Sequence, residues 1–268
     1  MTETQSTALR ASLKKISSPQ SDSHKGQNGK LLIIGGSELF HAASKWSLDV
    51  ASKIVDMVFY CSVPSNNKLI TEAKENFWNG IVIGRGQIKN YINEADVILI
   101  GPGMDRSFYT KILVNNLLKK YSDKKWVIDA GALQMVDTNL LNSNHIITPH
   151  HQEMKILQQK NNLFDEKNYQ ADCHCLLKGP IDKLFTPKNN IATEITGGNS
   201  GMTKGGTGDV LAGLLAALYC KNEAKESCLV ASHINKKAGE ELYKTQGPYF
   251  NSSDLVETIP QVLWQATK

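Results

Sequence analysis

Apolar residues in this chain come in short runs separated by stretches of helical length. That alternation restricts the folds open to the chain more than any other feature. The runs are Leu31-Leu32-Ile33-Ile34, Met57-Val58-Phe59-Tyr60, Ile81-Val82-Ile83, Val97-Ile98-Leu99-Ile100, Trp126-Val127-Ile128 and Ile146-Ile147. Each lies between polar or glycine-rich segments, as strands buried on both faces do. Residues 43–54 and 108–120 between them have the pattern of amphipathic helices, and further helices are expected over residues 207–219 and 225–243. Strand–helix alternation predicts a layered α/β fold around a mainly parallel sheet.

Composition narrows the class. A chain of 268 residues makes one or two domains and can bury a substantial core without metal or disulfide staples. With 41% apolar residues and no Gly-X-Y or heptad period, it is neither disordered nor fibrous. The apolar runs fall far short of the ~18 residues a membrane helix needs. The formal charge of +4 is spread along the chain, with no basic stripe, so neither nucleic acid nor membrane is an expected partner.

Five cysteines at irregular spacing make a poor disulfide framework and point to a reducing cytoplasm. Cys173-His174-Cys175 lacks the gap of a zinc knuckle and any matching second pair. It reads as a buried strand, and no protein-held metal is expected. Residues 1–23 are rich in Ser, Thr and Gln without an apolar signal core, and are expected as a flexible tail or a short helix.

In open α/β sheets ligands collect outside the carboxyl ends of the strands. Four of the runs end in chemistry-bearing residues: Ile34 in Gly35-Gly36-Ser37, Ile100 in Gly101-Pro102-Gly103, Ile128 in Asp129-Ala130-Gly131, and Ile147 in Thr148-Pro149-His150. One such ending is an ordinary turn. Four describe a shared rim.

The densest signal is Gly197-Gly198-Asn199-Ser200-Gly201-Met202-Thr203-Lys204-Gly205-Gly206-Thr207-Gly208-Asp209, which runs into Val210-Leu211-Ala212-Gly213-Leu214-Leu215. Glycines let backbone amides converge on an anion, and the start of a buried helix adds partial positive charge toward it. The loop fits neither the Walker A nor the dinucleotide fingerprint. Asp209 at the helix start is open to two readings: a helix-start residue, or a base that takes a proton from an attacking hydroxyl.

Gly-Gly-Thr-Gly-Asp opening a buried helix resembles the ribokinase-like superfamily. Five more segments narrow the likeness to the NAD(P)H-hydrate dehydratase family. They are residues 29–37, Ile100-Gly101-Pro102-Gly103, Thr148-Pro149-His150 with Glu153, Lys178-Gly179-Pro180, and Ser253-Asp254-Leu255-Val256 with Pro260. The resemblance implies a three-layer α/β/α fold, with residues 24–268 as a single ribokinase-like domain. It implies phosphorylation of the C6 hydroxyl of a hydrated NADH or NADPH from ADP or ATP with Mg²⁺, followed by loss of phosphate. Asp209 would be the base and also touch substrate, and Gly205, Gly206, Thr207 and Gly208 would form the anion hole. Lys178 and Gly179 would serve the nucleotide, and Ala43, Gly103 and His150 the hydrate. A separate epimerase partner and a homo-oligomer, with a tetramer among the forms, come with the family.

Taken singly, these residues have plainer readings: Lys178 a surface charge at a strand end, His150 a cap, Gly103 a turn after proline. The chain also departs from the family pattern. Ser-x-x-Tyr-x-Gly-Ala is Ser37-Glu38-Leu39-Phe40-His41-Ala42-Ala43, Asp-Ala-Asp is Asp129-Ala130-Gly131, and the Pro-Gly after the histidine is His151-Gln152. Lys204 replaces a small or neutral residue, and is open to either a phosphate contact or solvent. Two other readings remain: a small-molecule kinase of the hydroxyethylthiazole or hydroxymethylpyrimidine type, and a nucleotide-binding protein without catalysis.

Overall fold

All six apolar runs become strands of one sheet, buried between helices except at the β3 edge, where Ile81 is exposed. The structure is a computed structural model that describes residues 3–268. Its strands are β1 (Lys30–Ile34), β2 (Met57–Cys61), β3 (Ile81–Ile83), β4 (Val97–Ile100), β5 (Lys125–Ile128), β6 (His145–Ile147), β7 (His174–Leu177), β8 (Asp182–Phe185) and β9 (Thr193–Ile195). They lie in the order β3-β2-β1-β4-β5-β6-β7-β8-β9. From β3 to β7 every pairing is parallel, with Leu31 opposite Val58 and Val97. The β7–β8 and β8–β9 pairings are antiparallel. The sequence runs did not disclose β8 and β9, because polar Asp182, Lys183, Thr193 and Glu194 interrupt them.

The helices are α1 (Glu3–Lys15), α2 (Ala42–Ala51), α3 (Pro64–Glu72), α4 (Ile88–Glu94), α5 (Phe108–Lys120), α6 (Ala130–Met135), α7 (His151–Lys160), α8 (Thr207–Tyr219), α9 (Ala224–Gln246) and α10 (Ser252–Thr267). Alternate residues of each strand face opposite layers. Leu31 and Ile33 join a core with Leu48 of α2, Ile70 of α3, Leu214 of α8, Ile234 of α9 and Ile259 of α10. Leu32 and Ile34 join the other, with Ile92 of α4, Val114 of α5, Leu133 of α6 and Leu157 of α7. The result is three layers with the sheet in the middle.

The expected N-terminal tail includes Met1 and Thr2, which lie outside the described residues. Leu9 of α1 is buried with the α9 and α10 layer. No helix among the described residues is long and apolar enough to cross a membrane.

One crossing fixes the helix that carries the glycine loop. A Cβ on Gly213 of α8 would lie 2.7 Å from both Cα and O of Ser47 on α2. The missing side chain lets the two backbones approach, and Ser47 Oγ donates to Asp209 O at 2.8 Å. The start of α8 is thereby held over the carboxyl rim of the sheet.

Candidate active site

Strand order reverses direction at β1 and β4, the place where open α/β sheets leave a crevice. Gly36 N–H donates to Pro102 O there at 2.7 Å. A Cβ on Gly103, whose φ is +71°, would lie 2.8 Å from Phe40 O and 3.0 Å from Ala43 Cβ. Gly103 and Ala43 are therefore neighbours, and Gly103 serves a close approach of two loops as well as a turn.

Gly206 precedes α8 at φ +97°, and a Cβ there would strike the Trp46 ring at 2.2 Å and Ser252 Oγ at 2.5 Å. Ser252 Oγ donates to Gly205 O at 3.0 Å, and Trp46 Nε1 donates to Ser253 Oγ at 3.2 Å. So α2 and α10 brace the loop from behind. Thr207 Oγ1 donates to Met202 O at 2.9 Å and to Lys204 O at 3.1 Å, closing the loop on itself. The outer side is open, for a Cβ on Gly205 would meet nothing within 4 Å. A glycine turn leading into a buried helix, braced behind and open in front, presents backbone amides to an anion.

Asp209 sits in the first turn of α8. Its carboxyl is pushed up to about 7, first by burial, then by the Asp129 carboxylate, with Lys178 pulling the other way and Glu153 adding to the rise. Lys178 Nζ donates to Asp129 Oδ1 at 2.7 Å, and Thr148 Oγ1 donates to the same oxygen at 2.8 Å. Burial alone would lower the Lys178 ammonium, but the carboxylates of Asp129 and Glu153 outweigh it and hold the group protonated. With its side chain 17% exposed, Lys178 is no surface charge. A Cβ on Gly208 would stand 3.5 Å from Lys178 Nζ, which puts the ammonium at the mouth of the cradle.

The backbone explains this placement. Lys178 extends β7 by one residue, its N–H donating to Pro149 O at 2.7 Å and its register pairing it with His150. The following turn is tied down from below. Gly179 N–H donates to Asp182 Oδ1 at 2.8 Å, and buried Lys236 donates to Gly179 O at 3.0 Å and Pro180 O at 3.2 Å.

His150 caps α7. Its Nδ1 accepts from the N–H groups of Gln152 and Glu153 at 3.1 and 3.3 Å, while its own N–H donates to Glu153 Oε2 at 2.9 Å. That reciprocal arrangement is a capping box with histidine in the usual Ser or Thr place. The other ring edge remains half exposed beside Lys178.

Asp209, Gly205, Gly206, Thr207, Gly208 and Lys178 thus come together, Gly179 lies beside them, and Gly103 and Ala43 line the neighbouring crevice. Lys204 takes neither reading offered for it: its ammonium goes to the carbonyls of Pro248 and Phe250, bracing the loop. Asp129, Thr148 and Glu153 are the side chains of the candidate site that residue-by-residue reading did not assign. Their signal was the rim position of the first two and the three-residue spacing of Glu153 from His150. At Gly131 a Cβ would lie 2.1 Å from Met104 O, so the β4–α5 loop occupies the space that the family's second carboxylate would use.

Among the described residues, no three carboxylate, imidazole or thiolate groups converge to hold a metal ion. Asp129 and Glu153 nevertheless add negative charge around Asp209, on top of the burial that raises it most. That suits a hard dication whose shell is completed by phosphate oxygens and water.

The layers, the strand order and the braced glycine turn define a ribokinase-like fold. A ribokinase-like superfamily protein of known structure from Enterococcus faecalis superposes with a TM-score of 0.84 at 22% identity, covering 96% of this chain and 94% of that one. The family model for NAD(P)H-hydrate dehydratase matches residues 31–261, and the chain belongs to that family. It is 33% identical to the ADP-dependent (S)-NAD(P)H-hydrate dehydratase of Nitrosopumilus maritimus, over 93% of each chain. It is 39% identical to the bifunctional NAD(P)H-hydrate repair enzyme Nnr of Methanocaldococcus jannaschii, over 94% of this chain. It spans about half (51%) of that longer protein.

Proposed function

We propose that this chain dehydrates hydrated NADH or NADPH, using ADP, or ATP, as phosphoryl donor. A hydroxyl is a poor leaving group, and its phosphate ester is a good one. The C6 hydroxyl oxygen attacks the terminal phosphorus of the nucleotide while Asp209 takes its proton. The P–O bond to the nucleotide breaks, and the transferred group rests against the amides of Gly205, Gly206, Thr207 and Gly208 with Lys178 beside it. The ring nitrogen then pushes its lone pair inward as the C6–O bond breaks and phosphate departs. Loss of a proton from the adjacent ring carbon restores the dihydronicotinamide.

Mg²⁺ would be held by the nucleotide phosphates near Asp129 and Glu153, where it would neutralise charge on the phosphoryl oxygens. The nucleotide lies toward Lys178 and Gly179, and the hydrate toward Ala43, Gly103 and the half-exposed edge of His150. A separate epimerase, a homo-oligomeric assembly and a cytoplasmic setting, which the five free thiols suit, belong to the same proposal.

The observation that carries this reading is a carboxyl poised at about 7 beside an open glycine cradle and a buried lysine. The test is return of NADH absorbance from its hydrate with ADP or ATP and Mg²⁺. Folded protein giving no signal with either nucleotide refutes the reaction, and a stable phosphorylated product identifies a small-molecule kinase instead.

A further inference from the structure

Of the 30 Lys and Arg residues in the chain only Arg10, Arg85 and Arg106 are arginine, and the last two follow β3 and β4 on the carboxyl rim. Arginine differs from lysine where flat, two-pronged contact with phosphate is needed. Arg85 follows Gly84 in the turn between β3 and α4, and its guanidinium lies over the Tyr109 ring of α5, 4.9 Å from the centroid. Its Nε is buried with no hydrogen-bond partner. Among the described residues no carboxylate forms an ion pair with it. Asp105, whose carboxyl is lowered first by the Thr110 and Ser107 hydroxyls and lastly by Arg85's charge, is taken up by those hydroxyls. The guanidinium is therefore held by an aromatic face and, among the described residues, has no ion-pair partner.

Its position suits a long substrate. The crevice at Gly103 and Ala43 lies at the ends of β4 and β1, and β3 stands two strands beyond β1, roughly 10 Å away at the usual strand spacing. Lys178 and Gly179, on the nucleotide side, lie in the opposite direction along the rim. A dinucleotide with its nicotinamide ring near Asp209 would run across the crevice toward Arg85.

We propose that Arg85, backed by Tyr109, binds the phosphates of the adenosine half of the hydrated dinucleotide, with exposed Arg106 adding to the local positive field. This rests on the dehydratase reading for the identity of the ligand. The phosphates concerned are the 2′-phosphate or the diphosphate bridge.

The experiment is calorimetric titration of the full chain with NADP⁺, and separately with NAD⁺, under saturating ADP so that the co-substrate side is filled. Arg85→Gln is expected to weaken NADP⁺ about tenfold or more, with Arg85→Lys intermediate because charge survives without the fork. A loss confined to NADP⁺ assigns Arg85 to the 2′-phosphate, and an equal loss for both ligands assigns it to the diphosphate. Affinities of Arg85→Gln within twofold of the parent overturn the proposal, as does a parent chain that binds neither dinucleotide. A loss that extends equally to ADP titrated alone overturns it too. Arg85-dependent NADP⁺ binding in a chain that never turns over the hydrate overturns the reaction and leaves the subsite standing.

Discussion

Lys178 Nζ lies 2.7 Å from Asp129 Oδ1, and the two act on Asp209 with opposite sign. Burial contributes most to the rise of the Asp209 carboxyl, Asp129 adds to it, and Lys178 restrains it. A carboxyl poised near neutrality, beside a cation that does not titrate there, is the outcome.

That balance sets the pH response. Below about 7 Asp209 is protonated and unable to accept the hydroxyl proton. The value of kcat/KM is expected to climb roughly tenfold per pH unit up to that point and then level off. Asp129→Asn removes the like charge, so its acid limb should move to lower pH. A pH–rate profile of both proteins checks this, and coincident limbs would rule out the coupling.

Asp209→Asn is expected to reduce turnover by about 10²–10⁴-fold while ADP binds within a few-fold of normal. Stability gives an independent readout. A raised native pKa means the folded state holds the proton more tightly than the unfolded one between about 4 and 7. Wild type therefore loses stability as pH rises through that window. The asparagine variant lacks this loss, so its advantage in Tm should be small at pH 4 and largest above pH 7. Thermal melts at both ends of the window decide it.

Removing one partner of the buried pair should hurt more than removing both. Lys178→Met leaves the Asp129 carboxylate, 2% exposed, without its cation, and is expected to destabilise by roughly 3–5 kcal/mol. Adding Asp129→Asn should recover most of that stability and none of the activity. Urea unfolding of the three variants measures the coupling.

Adjacent glycines should behave differently. Gly206→Ala forces a methyl into Trp46 and Ser252 at positive φ, with an expected loss of about 2 kcal/mol or more. Gly205→Ala meets nothing, so its stability should stay within about 0.5 kcal/mol while its methyl narrows the cradle and lowers turnover. Melting temperature paired with kcat for each variant separates bracing from binding.

The sequence made legible whatever depends on local pattern. Phe108–Lys120 and Thr207–Tyr219 are helices with the expected bounds, because apolar periodicity and flanking turns marked both ends. The first expected helix, over residues 43–54, ends at Ala51 in the fold, and Ile54 and Val55 beyond it still pack into the core. What stayed illegible depends on contacts far apart in the chain. Nothing local in Lys178 distinguishes it from a surface lysine. Its burial follows from Asp129, 49 residues earlier, and from the extension of β7 alongside Pro149. Lys204 likewise owes its role to carbonyls more than forty residues later. His150 is the opposite case, since the three-residue spacing to Glu153 already contained the capping box.

Gly131 limits how the wall of the site can be rebuilt. The Met104 carbonyl fills the space a side chain there would need, so Gly131→Asp would drive a carboxylate into backbone. A side chain could enter there only if residues 101–105 moved away. That loop also presses Gly103 against Phe40 and Ala43, so its retreat would loosen the opposite wall of the crevice. A change of substrate fit at this wall is therefore open to residues around Gly131 and closed to Gly131 itself.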